Sequence, residues 1–140
     1  MILVGACLAG VRCRYDGGHN RFDPVVEMVR AGEALPVCPE QLGGLTTPRE
    51  PAEIRDGRVW TVSGTDVTAA FQRGAEEAFR LGKLIGCRRA ILKARSPSCG
   101  AGLIYDGSFS HVTAPGDGFL ARMLREAGAA VFTEEDSLPG

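Results

Sequence analysis

Three cysteines fall where an apolar run gives out. Cys7 closes the run at residues 2–7, Cys38 closes 35–38, and Cys99 comes just after 89–94, inside Ser96-Pro97-Ser98-Cys99-Gly100. No pair among the five cysteines has the two-to-four-residue spacing of a zinc ribbon or finger, so a shared site has to come from distant segments. Taken singly, each is most simply a core residue, because free cysteine is among the most buried residue types. Three at equivalent strand ends are another matter. In an open parallel sheet all C-terminal strand ends lie along one edge, and ligands bind in the crevice there. Three thiols meeting at that edge suit zinc, an iron–sulfur cluster, or a nucleophile with resolving partners. Zinc in a structural site wants a fourth ligand, and Cys13 is available for it. A three-cysteine iron–sulfur site instead leaves one iron open to substrate.

Other residue types add to this edge unequally. Glu40 stands two residues after Cys38, so a persisting extended backbone would turn both side chains to one side. A carboxylate beside a water-excluded site can serve as general acid or base. Ser96 and Ser98 flank the third cysteine, where serine commonly bonds the turn's own backbone. Ser98 and, from the Pro48-Arg49-Glu50-Pro51 segment, Arg49 are further candidates for substrate contact. His19 and His111 sit in expected loops far from either serine, which gives a Ser–His–Asp triad little support. Asp66 reads as a helix cap, Cys87 as packing, and Gly43-Gly44 as a turn that lacks the lysine and glycine spacing of a phosphate loop.

The elements that must position these residues alternate. Strands are expected at 2–7, 35–38, 59–62, 89–94 and 129–133, with a short edge strand at 103–105. Helices are expected at 22–31, with Asp23 as N-cap and Pro24 at its first position, and at 118–127. The strongest helical pattern opens at Asp66, where Val67, Ala70, Phe71, Ala75, Ala78 and Phe79 recur at helical spacing. Pro39, Gly43, Gly44, Pro48 and Pro51 make 39–57 a long irregular loop, a length often associated with function. Strand–helix alternation points to an α/β protein, a Rossmann-like layered fold with a mainly parallel sheet. At 140 residues the expectation is a single compact domain, 1–140, able to bury a core without disulfides.

Composition narrows the partners. The chain is 44% hydrophobic and 24% charged with net charge −1, so it lacks the overall basic footprint of a nucleic-acid binder. Local basic clusters at Arg12/Arg14 and Arg88/Arg89/Lys93/Arg95 read as solvated surface. The apolar start is interrupted by Arg12, far short of a membrane span of about 20 residues. An odd cysteine count also argues against a disulfide framework, and a cytoplasmic protein without targeting segment is expected.

With these residues in view, the sequence resembles a small bacterial family associated with thiouracil desulfurases. The resemblance rests on ILVGACLAGVRCRYDGG (2–18), PVCPEQLGGLTTPREPAEI (36–54), SGTDVTAAFQRGA (63–75), ILKARSPSCG (91–100) and IYDGSF (104–109). It implies an oxygen-sensitive 4Fe-4S cluster held by three cysteines and an iron free to take the sulfur of a thiocarbonyl. The implied reaction converts C=S to C=O with release of sulfide and no net electron transfer. Carried onto matching positions, the ligands would be Cys7, Cys38 and Cys99, with Cys13 the alternative to Cys7. Glu40 would be the acid/base and Ser96 would assist proton transfer or place the substrate. The implied substrate is a small thiolated base or nucleoside; thiolated tRNA is less favoured, since relatives that use it carry an additional domain. One departure is Gly5, where serine is expected before Ala-Cys-Leu.

Overall fold

The computed structural model describes residues 1–137. In chain order its elements are β1 (Ile2–Gly5), a 3-10 turn (Ala6–Ala9), α1 (Asp23–Arg30), β2 (Ala34–Val37), α2 (Pro39–Leu42), β3 (Ala52–Arg55), β4 (Arg58–Thr61), α3 (Thr68–Leu84), β5 (Arg89–Leu92), β6 (Leu103–Tyr105), β7 (Thr113–Pro115), α4 (Phe119–Glu126) and β8 (Ala130–Thr133). Four strands form one parallel sheet in the order β2-β1-β5-β8. This is the α/β class expected from the alternation.

Strand alternation builds the two faces. Leu3, Ala90, Leu92 and Val131 turn one way, onto Phe71, Ala75 and Ala78 of α3 and Leu120 and Leu124 of α4. Their neighbours Val4, Ile91 and Phe132 turn the other way, onto Val25, Met28 and Val29 of α1. Both faces of the sheet are thus covered by helices, as an all-parallel sheet requires. The sequence leaves β1 to pair with β2 on one side and returns, after α3, to pair β5 on the other. That reversal makes the crevice between the ends of β1 and β5 the switch point, where open α/β sheets bind ligands.

Several expectations need correction. The first strand stops at Gly5, and residues 6–9 wind into the 3-10 turn, closed by Gly10 at φ 94°. The segment 39–57 is not wholly irregular: Pro39, at the first helical position, starts α2, and β3 pairs antiparallel with β4 in a hairpin. Neither β4 nor β6 joins the main sheet: β4 pairs with β3 and β6 with β7, and β6 meets the chain beyond β5 in a single bridge between Ile104 and Arg95. At helix starts, Phe22 is the cap of α1 with Asp23 in the first turn, and Val67 precedes α3. Asp66 still serves that helix: its Oδ1 accepts the Thr68 N–H at 2.9 Å and the Thr68 hydroxyl at 2.6 Å.

The glycines of 43 and 74 have a reason beyond turns. A Cβ on Gly74 would fall 1.8 Å from the Pro39 carbonyl oxygen, and one on Gly43 would fall 2.0 Å from that of Ala70. Only two bare backbones let α2 lie this close on α3. The long helix, itself packed on the sheet, thereby fixes the segment that starts at Cys38.

Candidate functional site

Each of the three cysteines is delivered by a different local device. Cys7 lies in the 3-10 turn after β1, where its carbonyl accepts the N–H of Gly10 and of Asn20. Cys38 is the N-cap residue of α2, one residue past β2. Cys99 lies in the loop after β5, and that loop is stitched to α4. The Phe119 N–H donates to the Pro97 carbonyl at 2.9 Å and the Leu120 N–H to that of Ser98 at 2.9 Å. Gly118 permits the approach, since a Cβ there would sit 2.4 Å from the Ser98 carbonyl carbon. The first turn of α4 therefore spends its free N–H groups on holding the cysteine loop.

These devices bring Cys7, Cys38 and Cys99 to one cavity of about 670 Å³ at the switch point. Cys13, Glu40, Arg49 and Ser96 also line it. Cys38 Sγ lies 3.6 Å from Glu40 Oε2, with the thiol donating. The contact arises differently from the expectation: the chain becomes helical at Pro39, so it is the turn from N-cap to first helical turn that brings the pair together. Ser96 Oγ accepts the Cys99 N–H at 2.7 Å, which closes the loop over its own cysteine. Ser98 does not line the cavity. It is fully buried, and among the described residues its hydroxyl has no hydrogen-bond partner. Arg49 reaches the cavity wall, but its guanidinium donates to the Cys13 carbonyl at 2.9 Å and to Thr47 Oγ1 at 3.0 Å. It ties the loop of Cys13 to the segment before β3, and its backbone N–H adds a bond to the Tyr15 carbonyl at 2.7 Å.

Electrostatics separate the thiols. Burial pushes the Cys7 thiol up, partly offset by a hydrogen bond from the Asn20 side chain. Burial holds Cys99 well above the usual range, and the nearby Glu40 and Cys7 add to it. Cys13 and Cys38 form a close pair, with Cys38 Sγ 3.9 Å from the Cys13 carbonyl oxygen, and their interaction pushes the Cys13 thiol up and that of Cys38 down. Asn20 has no signal in the sequence, being one polar loop residue among several. The structure places it against Cys7, with its Oδ1 held by Arg14 Nη1 at 3.0 Å. Lys93 and Arg14 also line the cavity, so not all of the two basic clusters is free surface; Lys93 pairs with Glu134 at 3.2 Å.

The donor set favours a group larger than one ion. A single zinc draws thiolates to about 2.3 Å, which requires its donors to converge tightly. Among the described residues no three His, Cys, Asp or Glu side chains are so arranged. Soft thiols spaced around a cavity, on three separate segments, fit an iron–sulfur cluster instead. All five cysteines are free.

A parallel α/β sheet covered on both faces, with thiols and a carboxylate lining one cavity at its switch point, is the class of fold and site that can hold a thiolate-bound cofactor. Likeness to known proteins sharpens that class. The sequence pattern of the 2-thiouracil desulfurase family matches residues 2–136, and the chain belongs to that family. The uncharacterized protein YbbK of Bacillus subtilis (strain 168) is 42% identical over 146 residues, covering 97% of each chain. The solved structure of the [4Fe-4S]-dependent thiouracil desulfidase TudS superposes with a TM-score of 0.90 at 47% identity, covering 96% of this chain and 90% of that one.

Proposed function

We propose that this protein is a 4Fe-4S-dependent desulfurase that converts the thiocarbonyl of a 2-thiouracil-like base to a carbonyl. The observation that carries the reading is the meeting of Cys7, Cys38, Cys99 and Glu40 at one switch-point cavity in a chain of this family. Cys7, Cys38 and Cys99 would hold the cluster. When bound, the cluster supplies a soft Lewis acid suited to a thiocarbonyl sulfur.

The chain's own residues supply the rest. Water adds to the thiocarbonyl carbon, the C–S bond breaks, and sulfur leaves as sulfide. A thiocarbonyl and water thus become a carbonyl and hydrogen sulfide, without oxidation or reduction. Glu40 takes the proton from the attacking water and returns it to the departing sulfur. Its carboxylate is within 3.6 Å of Cys38 Sγ, which places it beside the ligand set. Ser96 Oγ, fixed by the Cys99 N–H, stands on the same wall and relays a proton or orients the base. The Cys13 loop and Arg49 wall the cavity on the side of Cys38, limiting water to the reacting molecule.

A cavity of about 670 Å³ suits a free base or nucleoside. The net charge of −1 supports a small molecule over tRNA. Among the described residues no helix is long and apolar enough to cross a membrane. We place the protein in the cytoplasm, where thiols stay reduced.

The test is anaerobic purification or reconstitution, iron and sulfide analysis, and measurement of sulfide released from 2-thiouracil. Native protein should bind close to four irons and release sulfide. Glu40→Gln should keep its iron and lose about 100-fold or more in kcat. A chain that takes up zinc alone and stays inactive after iron–sulfur reconstitution would overturn the reading.

A further inference from the structure

Two hairpins outside the main sheet also wall the cavity, and the reaction leaves them without a task. Glu53 reaches it from β3, Tyr105 from β6, and His111 from the loop between β6 and β7. That loop is strained. Phe109 and His111 hold left-handed backbone, at φ 56° and 59°, where residues other than glycine are uncommon. Such positions persist only where the surroundings impose them. Glu53 supplies the constraint: it is 9% exposed, and its Oε1 accepts the Gly107 N–H at 3.0 Å and the Phe109 N–H at 3.1 Å. Gly107 lets the loop lie against β3, since a Cβ there would fall 2.8 Å from the Ile54 carbonyl oxygen. At the base of the loop the Asp106 N–H donates to the Val112 carbonyl at 3.0 Å. The rings of Tyr105 and His111 thereby meet edge to face, with centroids 6.3 Å apart and planes at 80°, both on the cavity. Tyr105 is half-buried and His111 exposed, which sets the pair at the cavity mouth.

We infer that Tyr105 and His111 form an aromatic platform for the planar ring of the thiolated base, and that Glu53 is the positioning residue that holds the loop in place. The inference rests on the proposed reaction and adds the contact by which the chain selects its substrate. The cysteines and Glu40 act on the thiocarbonyl group; the flat ring that carries it needs a surface of its own. In an edge-to-face pair the ring that offers its edge has neither face covered by its partner, so a stacking face stays free. Stacking on such a face favours a planar pyrimidine whatever its substituents, because every base has a π-face.

The anaerobically loaded protein and its variants are dialysed to equilibrium against uracil, which has the ring without the sulfur, and assayed for turnover of 2-thiouracil. Tyr105→Ala should weaken uracil binding about fivefold or more and raise KM to match, with kcat little changed. Tyr105→Phe, which keeps the ring, should return both toward native. His111→Gly removes the other ring and relaxes a left-handed backbone, so it should lose affinity without a fall in thermal stability. Glu53→Ala should lose affinity as the ring variants do. Glu53→Gln, which keeps an acceptor oxygen for both N–H groups, should restore it. Unchanged uracil affinity in Tyr105→Ala and His111→Gly would overturn the platform, and so would a loaded native protein that binds no uracil. A Glu53→Gln variant as weak as Glu53→Ala would make the charge itself the contact and overturn the positioning role. If Glu53→Ala does not fold, Glu53→Gln set against the native protein decides that point alone. A native protein that binds uracil through these rings yet releases no sulfide from 2-thiouracil keeps the platform and overturns the proposed reaction instead.

Discussion

Cys87 and Cys99 show how little a residue type says without its position. Both follow within a few residues of a turn, yet Cys87 packs on the core beside Gly82, while Cys99 faces the cavity. Cys87→Ser should therefore keep the full iron content, whereas Cys7→Ser, Cys38→Ser and Cys99→Ser should each lose most of it, as read by iron and sulfide analysis. Retention in Cys7→Ser would move the N-terminal ligand to Cys13. The meeting of Cys7, Cys38 and Cys99 at one cavity was legible because each lies where an apolar run ends, and strand ends share an edge. The place of Asn20 was not, because it depends on a loop returning to Cys7, which no local pattern encodes. Ser98 misled for the opposite reason: Ser96, Pro97 and Cys99 line the cavity, but Ser98 between them is fully buried away from it. Gly5, the departure from the family pattern, is not forced by space. A Cβ there meets only ordinary contacts, at 3.6 Å from the Lys93 nitrogen, in a backbone of φ −64° that any residue adopts. Gly5→Ser should fold, with stability raised by about 0.4–1 kcal/mol in denaturant titration, through a less free unfolded chain.

At the scale of elements, the contact of α2 with α3 governs the placement of Cys38 and Glu40. Gly74→Ala would force a methyl into the Pro39 carbonyl, and the backbones would have to separate. The expected result is a loss of about 1–3 kcal/mol in stability. Cluster retention should also fall, although residue 74 touches no ligand. A variant with native iron content would show that α2 needs no such anchor. The sequence shows Gly74 only as a helix-interior glycine and Gly43 as a turn, and nothing short of the fold pairs them. Asp66 gives the other end of α3 a pH signature. Hydrogen bonds from the Thr68 hydroxyl and N–H, with Arg58, lower its pKa to about 2. A carboxylate depressed on folding stabilises fully above its unfolded pKa of about 4 and loses that contribution as pH falls toward 2. Asp66→Asn should flatten the acid limb of the stability curve between those values and leave its neutral-pH shape unchanged, as followed by thermal melts.

For the whole molecule, the parallel sheet was legible from alternation, since β1, β2, β5 and β8 are apolar runs separated by helices. The two hairpins were not, because β3 and β7 are short and polar and gain their strand character only from a partner. Loading should stabilise the entire fold, since the thiols come from three segments that unfolding would scatter. Anaerobic melts should show a rise of about 5–10 °C over the empty protein. The stitching of the Cys99 loop to α4 adds a constraint in time. Phe119 and Leu120 supply the bonds that shape that loop, and they follow it by some twenty residues in a chain made from the other end. A ribosome-bound chain that has just released Cys99 can present Cys7 and Cys38 but not a formed third arm. The shape of the Cys99 arm is thereby completed only after α4 has been made, late in the synthesis of the chain.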